Sequence, residues 1–417
     1  MKSKNRNNLH VVKEERDQTD EIIDKIMEEL RDEDGSMEEL EDKIARHKRR
    51  FWFKSGMITL LVLAVVIGTY ILLTSQTYSE ARVLNKYGDT TLENGNYVEF
   101  ADGVLKYSRD GIVFLDQKGR ERWNQSCQMK HPSAVVVGKT AAVVDIGGND
   151  ILVFEASGLK GEIHTTLPIQ KISISEQGIV AAILKDNVSP QVVCYDAAGN
   201  ILVEHKASTA GTGYPVDVSL SPNGEILLVS YLYTYENSVD TKISYYNFGT
   251  VGQDKTDHQV TEAKYEDQIM PMTFFAGSDT SIIVGDKQMV IYKGGQIPEL
   301  HETVEIGKEI KSVFYEEKNI GFILKNEGAK GYELRLYDTA GRQVTSVNFK
   351  GEYGNVKISG GQIIMYEGNR LAIFMKSGHK RFEGEMETNI MDMIPMFGFN
   401  KYLMMSTGGL EEVRLVK

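Results

Sequence analysis

Residues 112–119 read Ile112-Val-Phe-Leu-Asp-Gln-Lys-Gly119, an apolar strand followed by an Asp and a Gly that suit a tight turn. Asp at the start of a type I turn accepts a hydrogen bond from a downstream N–H, and Gly takes the left-handed position that closes a bulged hairpin. Six similar units follow along the chain: Ile151-Leu-Val-Phe-Glu-Ala-Ser-Gly158, Val192-Val-Cys-Tyr-Asp-Ala-Ala-Gly199, Ile243-Ser-Tyr-Tyr-Asn-Phe-Gly249, Val290-Ile-Tyr-Lys-Gly-Gly295, Leu334-Arg-Leu-Tyr-Asp-Thr-Ala-Gly341 and Leu371-Ala-Ile-Phe-Met-Lys-Ser-Gly378. The sequence therefore predicts seven β-hairpins of one kind.

The spacing of the terminal glycines indicates the size of the whole repeat. Consecutive glycines lie 39, 41, 50, 46, 46 and 37 residues apart, and a four-stranded propeller blade takes roughly 40–50 residues. Two further strand-like stretches precede each unit, for example Lys171-Ile-Ser-Ile-Ser and Ile179-Val-Ala-Ala-Ile-Leu. Beyond residue 80, the chain therefore predicts an all-β fold, a β-propeller of four-stranded blades.

The two ends of the repeat region set the number of blades. Residues 390–417 supply three strands and then stop, whereas Arg82-Val-Leu-Asn-Lys-Tyr stands before the first complete repeat. If this N-terminal strand completes the last blade, the ring closes without a free sheet edge at the join. Residues 80–417 number 338, or about 42 for each of eight blades, a typical blade length. We expect eight blades, with seven as the alternative.

An uninterrupted apolar segment precedes the β-rich region. Residues 56–74 contain no charged side chain, and a helix of this length spans roughly 28 Å, close to the hydrocarbon core of a bilayer. A cleavable signal peptide is disfavoured, because the segment starts after about 55 residues and lacks an Ala-x-Ala-like exit. We expect a cytoplasmic tail over 1–54, a transmembrane helix over 55–75 and an extracytoplasmic propeller over 76–417.

Basic residues flank only one end of this segment. Residues 43–54 include six Lys or Arg and no acid, while residues 75–89 contain two bases. Retention of basic flanks in the cytoplasm predicts that the N-terminus is inside and the propeller outside. The side chains expected at the membrane interface, where cationic and aromatic groups meet lipid headgroups, are Lys48, Arg49, Arg50, Trp52, Lys54 and Tyr70.

The N-terminal tail is strongly acidic. Residues 14–42 hold 15 acids and three bases, a net charge of −12. Ser36 and Glu39 fit a capping box at the start of a second tail helix. The apolar residues fall on two helical stripes, Ile22, Ile23, Ile26 and Leu30, then Met37, Leu40 and Ile44. They predict either two short solvated helices or a docking stripe for a cytoplasmic partner over residues 14–44.

Composition argues against several functions. The 417-residue chain has a formal charge of −12, which disfavours a nucleic-acid partner, since phosphate binding needs a basic face. Cys127 and Cys194 fall in non-adjacent repeats, so both are expected to be reduced and partly buried. The six histidines beyond residue 80 show no metal-binding spacing, and the Asp turns lack the alternating oxygen ligands of a calcium loop. We expect no metal, no cofactor and no catalytic residue.

A tyrosine-rich stretch marks the fourth repeat. Tyr231, Tyr233 and Tyr235 alternate along one strand, which places three rings on one face as a candidate partner surface. The alternative is an ordinary aromatic strand packed against the next blade. Methionines, which fill irregular cores, cluster in the last repeat at Met391, Met393, Met396, Met404 and Met405.

Ser221-Pro222-Asn223-Gly224-Glu225 and the strand-turn-strand units resemble the loose propeller repeats of the quinoprotein-like and TolB-like families. The layout of the whole chain is similar to an uncharacterised family of single-pass, membrane-anchored β-propeller proteins of Gram-positive, Clostridia-type bacteria. This resemblance implies a location in the cell envelope. It transfers no functional residue, because that family has no assigned activity.

The expected function is that of a non-catalytic binding or scaffolding module for protein or envelope partners, held at the outer face of the cytoplasmic membrane. One alternative is a transmembrane sensor that signals through a cytoplasmic partner. Another is an enzyme of the eight-bladed quinoprotein dehydrogenase kind. Proteins of that kind carry tryptophan-bearing repeats and stack their quinone with tryptophan, whereas the two tryptophans here, Trp52 and Trp123, fit no such pattern.

Overall fold

The chain divides into two compact units, Met1–Ser75 and Gln76–Lys417. The computed structural model describes residues 22–23, 25–27, 37–88, 95–186, 188–208, 211–235, 238–326, 328, 330–398 and 400–417. Within the N-terminal tail, Ser36, Leu30 and most of residues 14–36 therefore lie outside the described residues, including the predicted capping residue.

The first unit contains one long helix, α1 (Met37–Thr74); residues 22, 23 and 25–27 are helical as well. The stretch Ile44–Thr69 of α1 contains an 18-residue window with a mean hydropathy of 2.0, has no buried residue, and is long and apolar enough to cross a membrane. The second predicted tail helix is not separate, since α1 continues from Met37 through the apolar segment without a break. Two threonine hydroxyls in α1 bond to carbonyls one turn earlier, Thr59 to Ser55 and Thr69 to Val65.

The described part of the second unit contains eight four-stranded antiparallel sheets, here called blades 1 to 8 in chain order. Blade 1 contains β2 (Asn96–Phe100), β3 (Gly103–Tyr107), β4 (Gly111–Asp116) and β5 (Glu121–Ser126), and blade 2 contains β6 (Pro132–Val137), β7 (Thr140–Asp145), β8 (Asp150–Glu155) and β9 (Gly158–His164). Blade 3 contains β10 (Ile169–Ile174), β11 (Val180–Leu184), β12 (Gln191–Tyr195) and β13 (Ile201–Lys206), and blade 4 contains β14 (Tyr214–Leu220), β15 (Ile226–Tyr235), β16 (Ser238–Asn247) and β17 (Gln259–Tyr265). Blade 5 contains β18 (Met272–Phe275), β19 (Thr280–Val284), β20 (Gln288–Lys293) and β21 (Glu299–Glu305), and blade 6 contains β22 (Ile310–Glu316), β23 (Asn319–Lys325), β24 (Tyr332–Asp338) and β25 (Gln343–Phe349). Blade 7 contains β26 (Asn355–Ser359), β27 (Gln362–Glu367), β28 (Arg370–Met375) and β29 (Lys380–Glu385), and blade 8 contains β30 (Ile390–Pro395), β31 (Lys401–Ser406), β32 (Gly409–Val416) and β1 (Glu80–Gly88).

The strand from the N-terminal side of the ring completes blade 8. Its sheet order is β1-β32-β31-β30, and β1 pairs antiparallel with β32 from Glu80 opposite Val416 to Gly88 opposite Gly409. The eight-bladed β-propeller and the closing role of the segment at residues 82–87 are therefore confirmed.

The hydrophobic core lies between the blades. Eight clusters of buried apolar side chains each join two successive blades, and the cluster of Val104, Leu115, Ile394 and Leu403 joins blade 1 to blade 8. Met393, Met404 and Met405 are fully buried, and Met391 and Met396 pack against this core, as expected. Because each sheet is covered on both faces, its middle strands are apolar on both sides, which explains why the sequence shows apolar runs there.

The seven hairpins form between the third and fourth strands of blades 1 to 7, and each has a bulge near the turn. In three turns an Asp side chain accepts two backbone N–H bonds, as predicted; these are Asp116, Asp196 and Asp338. The prediction that the last glycine of each unit adopts the left-handed conformation was wrong at two positions. Gly249 has a φ of −78°, because helix α2 (Thr250–Gln253) and a 3-10 turn (Thr256–His258) replace the tight turn of blade 4. In blade 5, Gly294 and not Gly295 has the positive φ, of 133°.

Candidate functional site

A cavity of about 610 Å³ lies among the first strands of five successive blades. Strands β6, β10, β14, β18 and β22 contribute its wall, and the loops that follow β10, β14, β18 and β22 contribute its rim. The first strand is an edge strand of each sheet, and in a propeller the first strands surround the central channel. The cavity therefore occupies the part of that channel bounded by blades 2 to 6.

A buried ion pair forms part of the cavity wall. Asp217 in β14 is 1% exposed and pairs through Oδ1 with Nζ of Lys171 in β10, at 2.5 Å. Its Oδ2 accepts hydrogen bonds from the backbone N–H and the hydroxyl of Thr273 in β18, at 2.5 and 3.2 Å. Burial raises the pKa of Asp217, and the nearby Lys171 ammonium opposes that rise. The pair thus links the first strands of blades 3, 4 and 5.

An aromatic platform faces the same cavity. The rings of Phe274 in β18 and Tyr315 in β22 are stacked, with centroids 3.7 Å apart and planes 10° from parallel. Tyr315 is 44% exposed, yet the surrounding protein raises its pKa by desolvation. These two observations agree if the ring is exposed to the cavity and not to bulk solvent. One face of Tyr315 therefore contacts Phe274, while the rest of the ring is open to a ligand.

The rim of the cavity is acidic. Glu176 follows β10 and Glu317 follows β22, and both are exposed. Glu316 also lines the cavity and pairs with Lys376. Lining residues with a formal charge are one lysine and four carboxylates, Lys171, Glu176, Asp217, Glu316 and Glu317. Their sum is +1 − 4 = −3, so the cavity favours a positively charged ligand.

A second ion pair of the same kind lies on the opposite side of the ring. Lys357 in the first strand of blade 7 pairs with Asp392 in the first strand of blade 8, with Nζ and Oδ1 2.6 Å apart. Its Nζ is also 3.9 Å from Oε2 of Glu99 in blade 1, and Ser359 donates to that carboxylate. The two lysines lie in blades 3 and 7, and the two aspartates lie in blades 4 and 8. In each case the separation is four blades, so the two pairs are related by an approximate twofold symmetry of the ring.

The predicted partner surface in blade 4 is only partly available. Tyr231 is 2% exposed, its hydroxyl lies 3.2 Å from that of Tyr246, and Nζ of Lys242 lies over its ring. The prediction that Tyr231 belongs to an exposed partner surface was therefore wrong, because β15 turns this ring toward blade 3 and the core. Tyr233 is partly exposed, and the side chain of Tyr235 lies outside the described residues.

The predicted membrane-interface side chains all belong to α1. Those that the structure describes are exposed: Lys48, Arg49, Arg50, Trp52 and Lys54. Tyr70 is helical, but its side chain lies outside the described residues. Whether these groups meet lipid stays a prediction.

The two cysteines are free thiols, Cys127 partly buried and Cys194 buried, as expected. Burial, with smaller contributions from Asp110 and Asp145, raises the pKa of Cys127 to about 11. Burial alone raises the pKa of Cys194 to about 12. Among the described residues, no group of three or more His, Cys, Asp or Glu is arranged to hold a metal ion.

Sequence reasoning missed the cavity residues, although one signal for them was present. First strands are short and largely apolar, and a charged residue recurs near their middle in several repeats: Lys171, Asp217, Lys357 and Asp392. A charge at an equivalent position in an apolar strand indicates a partner on the neighbouring blade. No such signal marks Tyr315, whose platform depends on a ring 41 residues earlier in the chain.

A family profile described as "Family of unknown function (DUF5711)" matches residues 74–415, which begins at the last residue of α1 and covers the ring. No curated protein matches the chain in sequence. The fold is similar to the crystal structure of the computationally designed Ika8 protein, with 10% identity, a TM-score of 0.50, and coverage of 82% of this chain and 100% of that chain. It is also similar to BamB from Moraxella catarrhalis (11% identity, TM-score 0.46, 81% and 99% covered) and to a eukaryotic initiation factor (11%, 0.45, 72% and 90%). At these identities the similarity concerns the fold alone.

Proposed function

We propose that this chain, which belongs to the DUF5711 family of unknown function, is a membrane-anchored, non-catalytic binding protein whose propeller receives a protein partner outside the cytoplasmic membrane. The observation that carries the proposal is the cavity of about 610 Å³ in the centre of the ring. Its volume falls within the range of roughly 300–1,000 Å³ typical of ligand sites. Like those sites, it combines an apolar and aromatic wall with a few polar groups.

The polar groups of the cavity suit recognition better than turnover. Both oxygens of Asp217 are occupied, by Lys171, by the N–H of Val218, and by the N–H and hydroxyl of Thr273. A carboxylate held by four donors serves structure, since a general base must be free to take a proton.

The thiols of Cys127 and Cys194 are protonated at neutral pH because their pKa values are raised, and a thiol reacts as its thiolate.

Helix α1 supports the anchoring part of the proposal. Its apolar side chains between Met57 and Ile67 are 48–69% exposed wherever they are large, and such a surface is stable in lipid and unfavourable in water. The six basic residues over 43–54 favour a cytoplasmic N-terminus by the positive-inside rule. The Gram-positive, Clostridia-type origin and a cytoplasmic partner for residues 14–44 remain predictions from the sequence.

Site-specific photo-cross-linking in cells that produce the full-length chain tests the binding function. A photoreactive phenylalanine analogue replaces Tyr315 in the cavity, and as a matched control it replaces Leu300, which is 58% exposed on the fourth strand of blade 5. We expect a discrete protein adduct from position 315 that is missing from position 300. Loss of any adduct at position 315, or the same adducts at both positions, would contradict a partner in the cavity.

Cysteine labelling tests the orientation. In a background of Cys127→Ser and Cys194→Ala, Phe397→Cys provides a thiol at a fully exposed position of the ring, and Lys25→Cys provides one in the tail. A membrane-impermeant maleimide should label position 397 in intact cells and position 25 only after permeabilisation. The opposite pattern would overturn the proposed topology.

A further inference from the structure

We propose that the cavity binds a cationic side chain, an arginine or lysine on a loop of the protein partner, against the open face of Tyr315 and between the rim carboxylates Glu176 and Glu317. This inference rests on the proposed binding function and adds the chemistry of what is bound. It follows from three properties of the described residues: an aromatic ring that is stacked on one side only, a net negative lining, and a volume larger than a single side chain.

The ring of Tyr315 is prepared to receive a cation. Phe274 covers one face in a near-parallel stack at 3.7 Å, which fixes the orientation of the ring before any ligand enters. Tyr315 as a whole residue is 44% exposed, and the face of an aromatic ring carries the negative quadrupole that attracts ammonium and guanidinium groups. An arginine suits this platform especially well, because its planar group also stacks on aromatic faces.

The charges of the cavity select the sign of the ligand. Of the lining carboxylates, Asp217 is neutralised by Lys171 at 2.5 Å, and Glu316 is paired with Lys376. Glu176 and Glu317 have no ion-pair partner among the residues that the structure describes, and both are exposed at the rim. Even when Lys376 is counted, the formal charge is −3 + 1 = −2. An anionic ligand would meet repulsion here, whereas a cation completes the site.

The loops that carry the two rim carboxylates lie at the same end of the ring. Each follows the first strand of its blade, Glu176 after β10 and Glu317 after β22, and both line the same cavity. The cavity of about 610 Å³ exceeds the volume of one arginine, so it accommodates the tip of a loop with the basic side chain at its end. The remaining wall includes apolar side chains such as Val135, Met272 and Phe275, which suit the aliphatic part of that loop.

The test uses the full-length protein in detergent micelles, with 3-fluorotyrosine incorporated at position 315 as a ¹⁹F NMR reporter. The probe is acetyl-Gly-Arg-Gly-amide, and its neutral control is acetyl-Gly-citrulline-Gly-amide, in which the side chain keeps its shape and loses its charge. We expect the arginine peptide to shift the ¹⁹F signal saturably, and the citrulline peptide to bind at least about tenfold more weakly. Added salt should weaken binding of the arginine peptide, since the rim charges are exposed.

Matched variants assign the effect to the rim. The double variant Glu176→Gln and Glu317→Gln should lower the affinity for the arginine peptide by roughly two- to fivefold for each carboxylate removed. Glu299→Gln with Glu302→Gln on the exposed fourth strand of blade 5 changes the net charge equally and should leave the affinity unchanged. If both double variants behave alike, the effect belongs to net charge and not to the site.

The inference is overturned if the arginine and citrulline peptides shift the signal equally, or if millimolar arginine peptide produces no shift. Cross-linking from position 315 separates this failure from failure of the binding function. A specific adduct together with no preference for the arginine peptide leaves a binding propeller with a different ligand chemistry. If neither a specific adduct nor binding of the peptide is observed, both proposals are refuted.

Discussion

Replacement of Glu333 by Gln removes a buried negative charge from the third strand of blade 6. Arg335 donates two hydrogen bonds to this carboxylate, at 2.7 and 2.9 Å, and Lys308 and Ser346 donate one each, at 2.7 and 2.8 Å. These bonds lower the pKa of Glu333 from 4.5 to about 2, against the opposing effect of burial. The difference corresponds to about 3 kcal/mol of stability at neutral pH, since one pKa unit is worth about 1.4 kcal/mol.

The sign of the pH dependence follows from the lowered pKa. The folded state holds Glu333 ionised more strongly than the unfolded state does, so the contribution is present in full above pH 4.5. It is lost as the pH falls toward about 2 and both states become protonated. The Glu333→Gln variant should therefore be less stable than the unchanged protein by about 3 kcal/mol at pH 7, and this gap should narrow between pH 4.5 and about 2.

Urea denaturation of the full chain in detergent measures the gap. Trp123 reports on the ring, because its indole stacks on Phe154 between blades 1 and 2, and a Trp52→Phe background removes the signal of α1. The control is Glu309→Gln, which breaks contacts with two lysines but lies at the surface, where ion pairs contribute little. Equal destabilisation by both variants, or a gap that stays constant down to pH 3, would refute the argument from burial.

Three further substitutions probe the packing of the ring. Asp217→Ala strands the buried N–H and hydroxyl of Thr273, and we expect a loss of about 2–4 kcal/mol in the same urea assay, with full stability contradicting the structural role of the pair. Gly321→Ala places a Cβ about 2.1 Å from the ring of Phe314, so we expect a loss of about 1–3 kcal/mol, and a neutral result would mean that this ring moves freely. Tyr231→Phe removes one hydroxyl contact in the core and should cost about 0.5–1.5 kcal/mol without changing partner cross-linking; altered cross-linking would restore Tyr231 to the binding surface.

The fold could be predicted because similar turn residues recur once in each of blades 1 to 7, and their effect on the backbone is local. Asp116, Asp196 and Asp338 must bond to downstream N–H groups, and the glycine three residues later must adopt a positive φ, so each turn is visible in the sequence. Closure by β1 followed from the missing fourth strand at the C-terminus. The predictions at Gly249 and Gly295 were wrong because a short helix and a 3-10 turn replace the tight turn in blade 4, and the positive φ in blade 5 lies one residue earlier, at Gly294.

The site was far less predictable, because its contacts join different blades. Lys171 and Asp217 lie 46 residues apart and meet only through the register between two first strands. The orientation of Tyr231 posed the same difficulty: alternation told which rings share a face of β15, but not whether that face meets the core. Local sequence therefore carried the architecture, whereas the cavity depends on how the blades are arranged around the ring.

The pairing of β1 with β32 has a consequence for the order in which the protein forms. Residues 80–88 are synthesised before their partners at 409–416. At about 5–20 residues per second, synthesis of the intervening chain takes on the order of 15–65 s. During that interval the strand has no mate, and its exposed backbone groups are open to pairing with another nascent chain. A factor that shields β1 until residues 409–416 have been synthesised would raise the yield of closed rings.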